Sequence, residues 1–299
     1  MPSTRKTFRI ILISCTVLLI AMLHGCMTFR MTKKEIDNYF TTHHINGSQH
    51  TYSIERRNIH YIKAGDEKKP LILFVHGSPG SLNAFIHFFA DSALANEALL
   101  IAVDRPGFGQ SNFGVAETSL QGQARMLKPL LEMHRNSRPI ILVGHSLGGP
   151  VIARIAIDFP ELVDGLILVA PSIDPDLEPD EMWFRAPLAT PFLRWILPAS
   201  MRASNDEIYH LKPDLIHMLP EWQKITCPVV VVQGLKDKFV PAANASFAKD
   251  RITNATVTLM MNEEEGHFIP WTAPEMIKEA VLSLLSTHSL SSSGTLNER

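Results

Sequence analysis

The stretch Ile140-Ile-Leu-Val-Gly-His-Ser-Leu-Gly-Gly149 constrains this chain more than any other. Four apolar residues run into Gly144-His145-Ser146-Leu147-Gly148, and Pro150 to Ile157 follows in a helical pattern. That order predicts a buried strand, a sharp turn and a helix, with a serine at the apex of the turn. Glycines at positions 144 and 148 remove Cβ clashes, so Ser146 can sit in a strained turn with its hydroxyl exposed. Pro150 falls in the first helical turn, where a missing N–H does little harm. Phe159-Pro160 closes the helix, because the residue before a proline is pushed out of the α region.

Similar apolar runs recur on either side of this unit. Leu71–Val75, Leu99–Val103, Leu166–Val169, Val229–Val232 and Thr256–Met260 read as strands, and Thr51–Lys63 as a hairpin bending near Arg56-Arg57-Asn58. Helices are predicted over Leu82–Ala90, Leu120–Met133 and Pro274–Leu285. Short apolar strands alternating with helices imply parallel βαβ units under two helical layers. The fold class is therefore α/β, with a mostly parallel, doubly wound central sheet. Residues 171–227 break the rhythm after the sixth strand. They carry Trp183, Phe184, Phe192, Trp195 and several prolines, and a structureless loop of that length is rare in a compact domain. We read a small helical lid there. The core is then 51–170 with 228–285, and 286–299 is a serine-rich tail.

Residues 1–26 read as an export segment. Arg5, Lys6 and Arg9 precede an apolar run from Ile10 to Leu23, shorter than a spanning helix needs, and Leu23-His24-Gly25-Cys26 follows. That ending resembles a bacterial lipoprotein processing site with Cys26 as the acylated residue, although His24 departs from the usual small residue. Cleaved and lipidated, or kept as an uncleaved anchor, it tethers the body outside the cytoplasm. Residues 27–50 read as a polar tether with one short helix. The net charge of −2 gives no electrostatic case for nucleic acid. Cys227 is the one cysteine of the body, so no intradomain disulfide is expected.

A serine hydroxyl needs a base within hydrogen-bond reach, and the base needs an acid to orient it. Gly234-Leu-Lys-Asp237 puts a carboxylate just past the end of a buried strand, and Gly266-His267 puts a histidine after the last strand. At the carboxyl edge of an open α/β sheet, such groups converge. We therefore assign Ser146 as nucleophile, His267 as base and Asp237 as acid, with Asp174 as the rival acid. The negative charge of a tetrahedral intermediate needs donors already in place. The N–H of Leu147, at a helix N-terminus, is one; the N–H of Ser78, in His76-Gly77-Ser78, is the other. His76 and His145 read as structural. No cofactor or metal is needed.

His76-Gly-Ser-Pro-Gly80, Asp104-Arg-Pro-Gly-Phe-Gly-Gln-Ser111, Gly144-His-Ser-Leu-Gly-Gly149, Gly234-x-x-Asp237 and Gly266-His267 together resemble the α/β-hydrolase superfamily over roughly residues 52–285. The turn at 76 and the stretch at 104 are similar to those of its lidded branch, which contains epoxide hydrolases, haloalkane dehalogenases, carbon–carbon bond hydrolases, haloperoxidases and esterases. A serine nucleophile argues against the first two. The resemblance implies a serine hydrolase acting on a small molecule, an apolar acyl ester before all. A carbon–carbon bond hydrolase, an aminopeptidase, or a non-catalytic binding protein on the same fold are the alternatives.

Overall fold

The computed structural model describes residues 27–294 without a break, and Phe8, Arg9, Ile11, Leu12, Ser14, Met22 and Gly25 before them. The export segment and Cys26 otherwise lie outside the described residues. Among the described residues, no helix is long and apolar enough to cross a membrane.

The hairpin pairs β1 (Gly47–Ile54) with β2 (Arg57–Ala64), and Glu55 and Arg56 turn it with φ of 48° and 63°. Six strands then run parallel: β3 (Leu71–Val75), β4 (Leu99–Val103), β5 (Ile140–His145), β6 (Gly165–Val169), β7 (Val229–Gly234) and β8 (Val257–Asn262). Their order is β1-β2-β4-β3-β5-β6-β7-β8, with β2 antiparallel to both its neighbours. Every residue of β3, β4, β5, β6 and β7 is buried, which is why those segments read as unbroken apolar runs rather than alternating ones. Alternate side chains still face opposite ways. Leu71, Leu73 and Val75 join the core on one face of the sheet, Ile72 and Phe74 that on the other.

The chain steps from β3 out to β4, then back across β3 to β5, so the winding direction reverses between β3 and β5. At such a switch point the loops leaving the carboxyl ends part and leave a crevice. Val75 is in register with Gly144, which sets the loop after β3 directly beside the serine turn after β5.

Residues 27–50 depart from the expected tether. Thr32 caps helix α1 (Lys33–Thr42) in a reciprocal box with Glu35, and Ile36 and Phe40 are buried in the same core as Phe89. The stretch is polar on average; two apolar residues four apart suffice to dock it. The predicted helix over 82–90 is instead two 3₁₀ turns, Leu82–Ala84 and Ile86–Ala90. Helices α2 (Ser92–Glu97), α3 (Leu120–His134), α4 (Gly148–Asp158) and α7 (Ala243–Arg251) connect the strands. Two more, α5 (Met182–Ala189) and α6 (Ala199–Met218), form the insertion after β6. After β8 come a short turn, α8 (Ile269–Thr272), and α9 (Pro274–Gly294), which runs nine residues beyond the expected Leu285.

Candidate active site

Ser146 has a φ of 53°, a left-handed conformation that a side chain adopts only under constraint. Its surroundings supply the constraint. A Cβ on Gly144 would lie 2.4 Å from the Gly148 carbonyl oxygen, and one on Gly148 would lie 2.3 Å from the Val75 carbonyl oxygen. The Ser146 N–H donates to Val169 O at 2.9 Å, and its carbonyl accepts from Gly149 N–H at 2.9 Å. Strand β6 and helix α4 thus clamp the turn from both sides.

His267 and Asp237 meet across two loops. The Nδ1–H of His267 donates to Oδ2 of Asp237 at 2.8 Å, and the carboxylate side chain is fully buried. The other carboxylate oxygen accepts the N–H groups of Phe239 and Val240, each at 2.8 Å. Burial acts to raise the Asp237 carboxyl, but His267 and these N–H donors outweigh it and hold the group below the ordinary carboxylate range. The loops are pressed together where a Cβ on Gly234 would meet Glu265 O at 2.4 Å, and Lys236 N–H donates to Glu265 O at 2.9 Å. Asp174 is occupied elsewhere: its carboxylate caps Asp176 N–H at 2.9 Å and has no bond to His267.

Ser146, His267, Ser78 and Leu147 all line one cavity of about 890 Å³. Among the described residues, neither the Ser78 N–H nor the Leu147 N–H has an acceptor. Both N–H groups are therefore unpaired, at residues that line the cavity. The Ser78 hydroxyl is buried and also lacks a partner.

The other two motif histidines brace the site. His76 donates from Nδ1 to Gly77 O at 2.7 Å and accepts the Arg105 N–H on Nε2 at 3.0 Å, so it is neutral. Burial, then the Arg105 charge, holds it well below the usual histidine value. His145 donates from Nε2 to the His267 carbonyl at 2.8 Å; burial, then the charge of His267, brings it down to about 3.

Several contributors were not marked in the sequence. The Arg105 guanidinium pairs with Glu207 of α6 through two bonds, at 2.7 and 2.9 Å, and also donates to His76 O at 2.8 Å and Gly77 O at 3.0 Å. Both side chains are buried. Arg105 stood within a recognised motif, but nothing marked Glu207 as its partner. Glu178 lines the cavity beside Ser172, whose hydroxyl donates to it, and burial raises its carboxyl. Met27 and Phe29 line the cavity as well, from the stretch read as a tether. The wall is otherwise largely apolar, with Phe184, Leu188, Met201 and Ile208 from the insertion.

Comparison with known proteins gives the same architecture. The family model for the alpha/beta hydrolase fold matches residues 70–191. The chain is 35% identical over 100 residues to the dihydrolipoyllysine-residue acetyltransferase component of an acetoin-cleaving system of Cupriavidus necator; the match covers 33% of this chain and 26% of that protein. It is 28% identical over 225 residues to a mitochondrial palmitoyl-protein thioesterase of Rattus norvegicus, covering 69% of this chain and 71% of the other. A candidate lipase from Acinetobacter baumannii superposes with a TM-score of 0.66 at 18% identity, over 89% of this chain and 99% of that one.

Proposed function

We infer, from its likeness to the α/β-hydrolase superfamily and its site geometry, that this chain is a serine hydrolase cleaving carboxylic esters through an acyl-enzyme. The observation that carries this reading is the convergence of Ser146, the Asp237–His267 pair and two unpartnered N–H groups on a single cavity.

In this reading Ser146 Oγ attacks the ester carbonyl carbon while Nε2 of His267 takes the hydroxyl proton. Asp237 fixes the tautomer and stabilises the imidazolium. The carbonyl electrons move onto oxygen, where the N–H groups of Ser78 and Leu147 receive them. Collapse expels the alkoxide, which leaves as an alcohol with the proton from His267, and water repeats the sequence on the acyl-serine. None of these steps calls on a cofactor. The apolar wall suits a hydrocarbon acyl group. The segment 1–26 is taken to place the body outside the cytoplasm, held to the membrane through Cys26 or an uncleaved anchor.

A fluorophosphonate probe should label the wild-type chain and not Ser146→Ala, and ester turnover should fall on the order of 10⁶-fold in that variant. A panel of p-nitrophenyl esters of graded length, run beside peptide amides, tests the substrate class. Turnover of amides alone overturns the ester assignment, and absence of labelling favours a binding protein.

A further inference from the structure

The segment that follows Cys26 is built into the cavity wall. The Met27 carbonyl accepts the Ser200 hydroxyl of α6, and Met27 and Phe29 face the cavity beside Leu197 and Met201. Arg30 donates to Gly109 O at 2.9 Å, with its guanidinium 3.9 Å from the Phe113 ring centroid, and Gln110 donates to Met31 O at 2.9 Å. Residues 27–31 are therefore fixed against the body. Leu23 ends the apolar run of the sequence four residues earlier, and four residues reach at most about 14 Å. If that run enters a bilayer, the bilayer surface lies within this distance of the cavity wall, on the side of the insertion.

The most exposed aromatic rings sit on the insertion, which also supplies part of the cavity wall. Trp183, Phe192 and Trp195 of the insertion are 79%, 84% and 57% exposed. Among the residues from 27 to 294, the remaining exposed aromatic rings all line the cavity, Phe29 and Trp271 among them. Exposed Trp and Phe clustered together mark an interaction surface rather than ordinary solvated skin. Aromatic rings, tryptophan above all, favour the headgroup level of a membrane, where an apolar body meets polar surroundings.

We propose that the insertion and Met27–Phe29 form one bilayer-docking face. Trp183, Phe192 and Trp195 lie in the headgroup layer, and the cavity opens toward the acyl chains of the same membrane. The substrate class this implies is a membrane-borne long-chain acyl ester that enters without crossing water. The proposal rests on the ester-hydrolase reading and on the membrane-seeking character of Ile10–Leu23.

The test uses the full-length chain reconstituted in phosphatidylethanolamine/phosphatidylglycerol vesicles carrying lipids brominated near the headgroup. Trp183 and Trp195 should be quenched, so the double variant Trp183→Phe/Trp195→Phe should lose most of the quenched emission. The triple variant Trp183→Ser/Phe192→Ser/Trp195→Ser should keep its rate on a water-soluble short-chain ester. Its rate on a long-chain ester embedded in the vesicles should fall roughly tenfold. Unquenched Trp183 and Trp195 overturn the docking face even if esterase activity stands. Quenching without any esterase activity leaves the face and overturns the substrate. Loss of a dimer in the triple variant, with no quenching in wild type, assigns the face to a second copy of the chain instead.

Discussion

The Nε2–H of His145 donates to the backbone carbonyl of His267 at 2.8 Å, so the residue before the serine holds the loop that carries the proposed base. The imidazole rings lie 4.8 Å apart, and Trp271 packs edge-on against His145 at 5.8 Å. Replacing His145 with Ala removes that anchor. A base displaced by an ångström loses on the order of 10²-fold in rate. We expect kcat to fall by about that factor with KM little changed, and His145→Gln to recover part of it through its amide N–H. The pH–rate profile should keep its shape, because His145 stays neutral. A change confined to KM removes the positioning role.

Two buried neutral histidines make the fold sensitive to acid. His76 and His145 have folded values depressed far below the unfolded value of about 6.5, to about 3 for His145. Below pH 6.5 the unfolded chain binds protons that the folded chain refuses, so stability rises with pH across this window and is lost as pH falls. Each group contributes a slope of up to about 1.4 kcal/mol per pH unit. The Asp237 carboxyl, also depressed, adds stability that is present above its unfolded value and disappears below it. The melting temperature should drop steadily from about pH 6.5 toward 4.5, and less steeply in His145→Gln. A flat profile means that the histidines are protonated in the fold.

Neighbouring positions on the loop after β3 should respond in opposite ways. A Cβ on Gly77 would lie 2.9 Å from Ser146 Cβ and 3.2 Å from His145 Nδ1, so Gly77→Ala must move either the serine or the loop. A loss of 10²-fold or more in kcat is expected, the size of one lost oxyanion donor. Ser78→Ala keeps the N–H and deletes a buried hydroxyl that has no partner. It should cost less than roughly tenfold in rate and leave stability equal or slightly higher, since an unsatisfied buried polar group is itself a cost. Steady-state kinetics beside thermal melts of the two variants separate these outcomes.

The serine turn and the buried strands were legible because each is a local pattern: an apolar run of strand length, then glycines where only glycine fits. The edge strand β8 has no fully buried residue, yet Val257-Thr-Leu-Met still reads as a strand from its residue types. What stayed hidden depends on contacts between distant segments. Glu207 sits in a helix with no local mark of function, and its partner Arg105 is 102 residues away. Ile36 and Phe40 lie among polar neighbours, so averaging over the segment conceals the pair that docks it. Met27 and Phe29 look like linker residues until α6 folds over them.

The Arg105–Glu207 pair joins the insertion to the loop after β4, from which Arg105 also holds the loop after β3, and its burial sets the cost of breaking it. Glu207→Gln leaves a buried guanidinium without its counter-charge, which costs on the order of 3–5 kcal/mol. The melting temperature should fall sharply, and the insertion should become the first region to exchange its amide hydrogens. Arg105→Met combined with Glu207→Leu removes both charges and should recover much of the stability. It should not recover kcat, because His76 O and Gly77 O lose the donors that hold the loop. Full recovery of both quantities shows that the pair serves packing alone.

Asp237 offers the sharpest separation between catalysis and stability. Its carboxylate accepts the His267 Nδ1–H on one oxygen and two backbone N–H groups on the other, so the loop geometry and the imidazole tautomer depend on one side chain. In Asp237→Asn the amide oxygen still accepts the Phe239 and Val240 N–H groups, and the loop survives. The amide nitrogen then faces Nδ1, which must accept rather than donate, and the proton moves to Nε2. A base with its proton already on Nε2 cannot take another from Ser146. We expect kcat to fall by about 10⁴ with an unchanged fold, while Asp174→Asn, which loses only a local turn, changes kcat less than roughly tenfold. Ester turnover and circular dichroism on both variants decide it: a small effect at 237 with a large one at 174 moves the acid to the loop after β6.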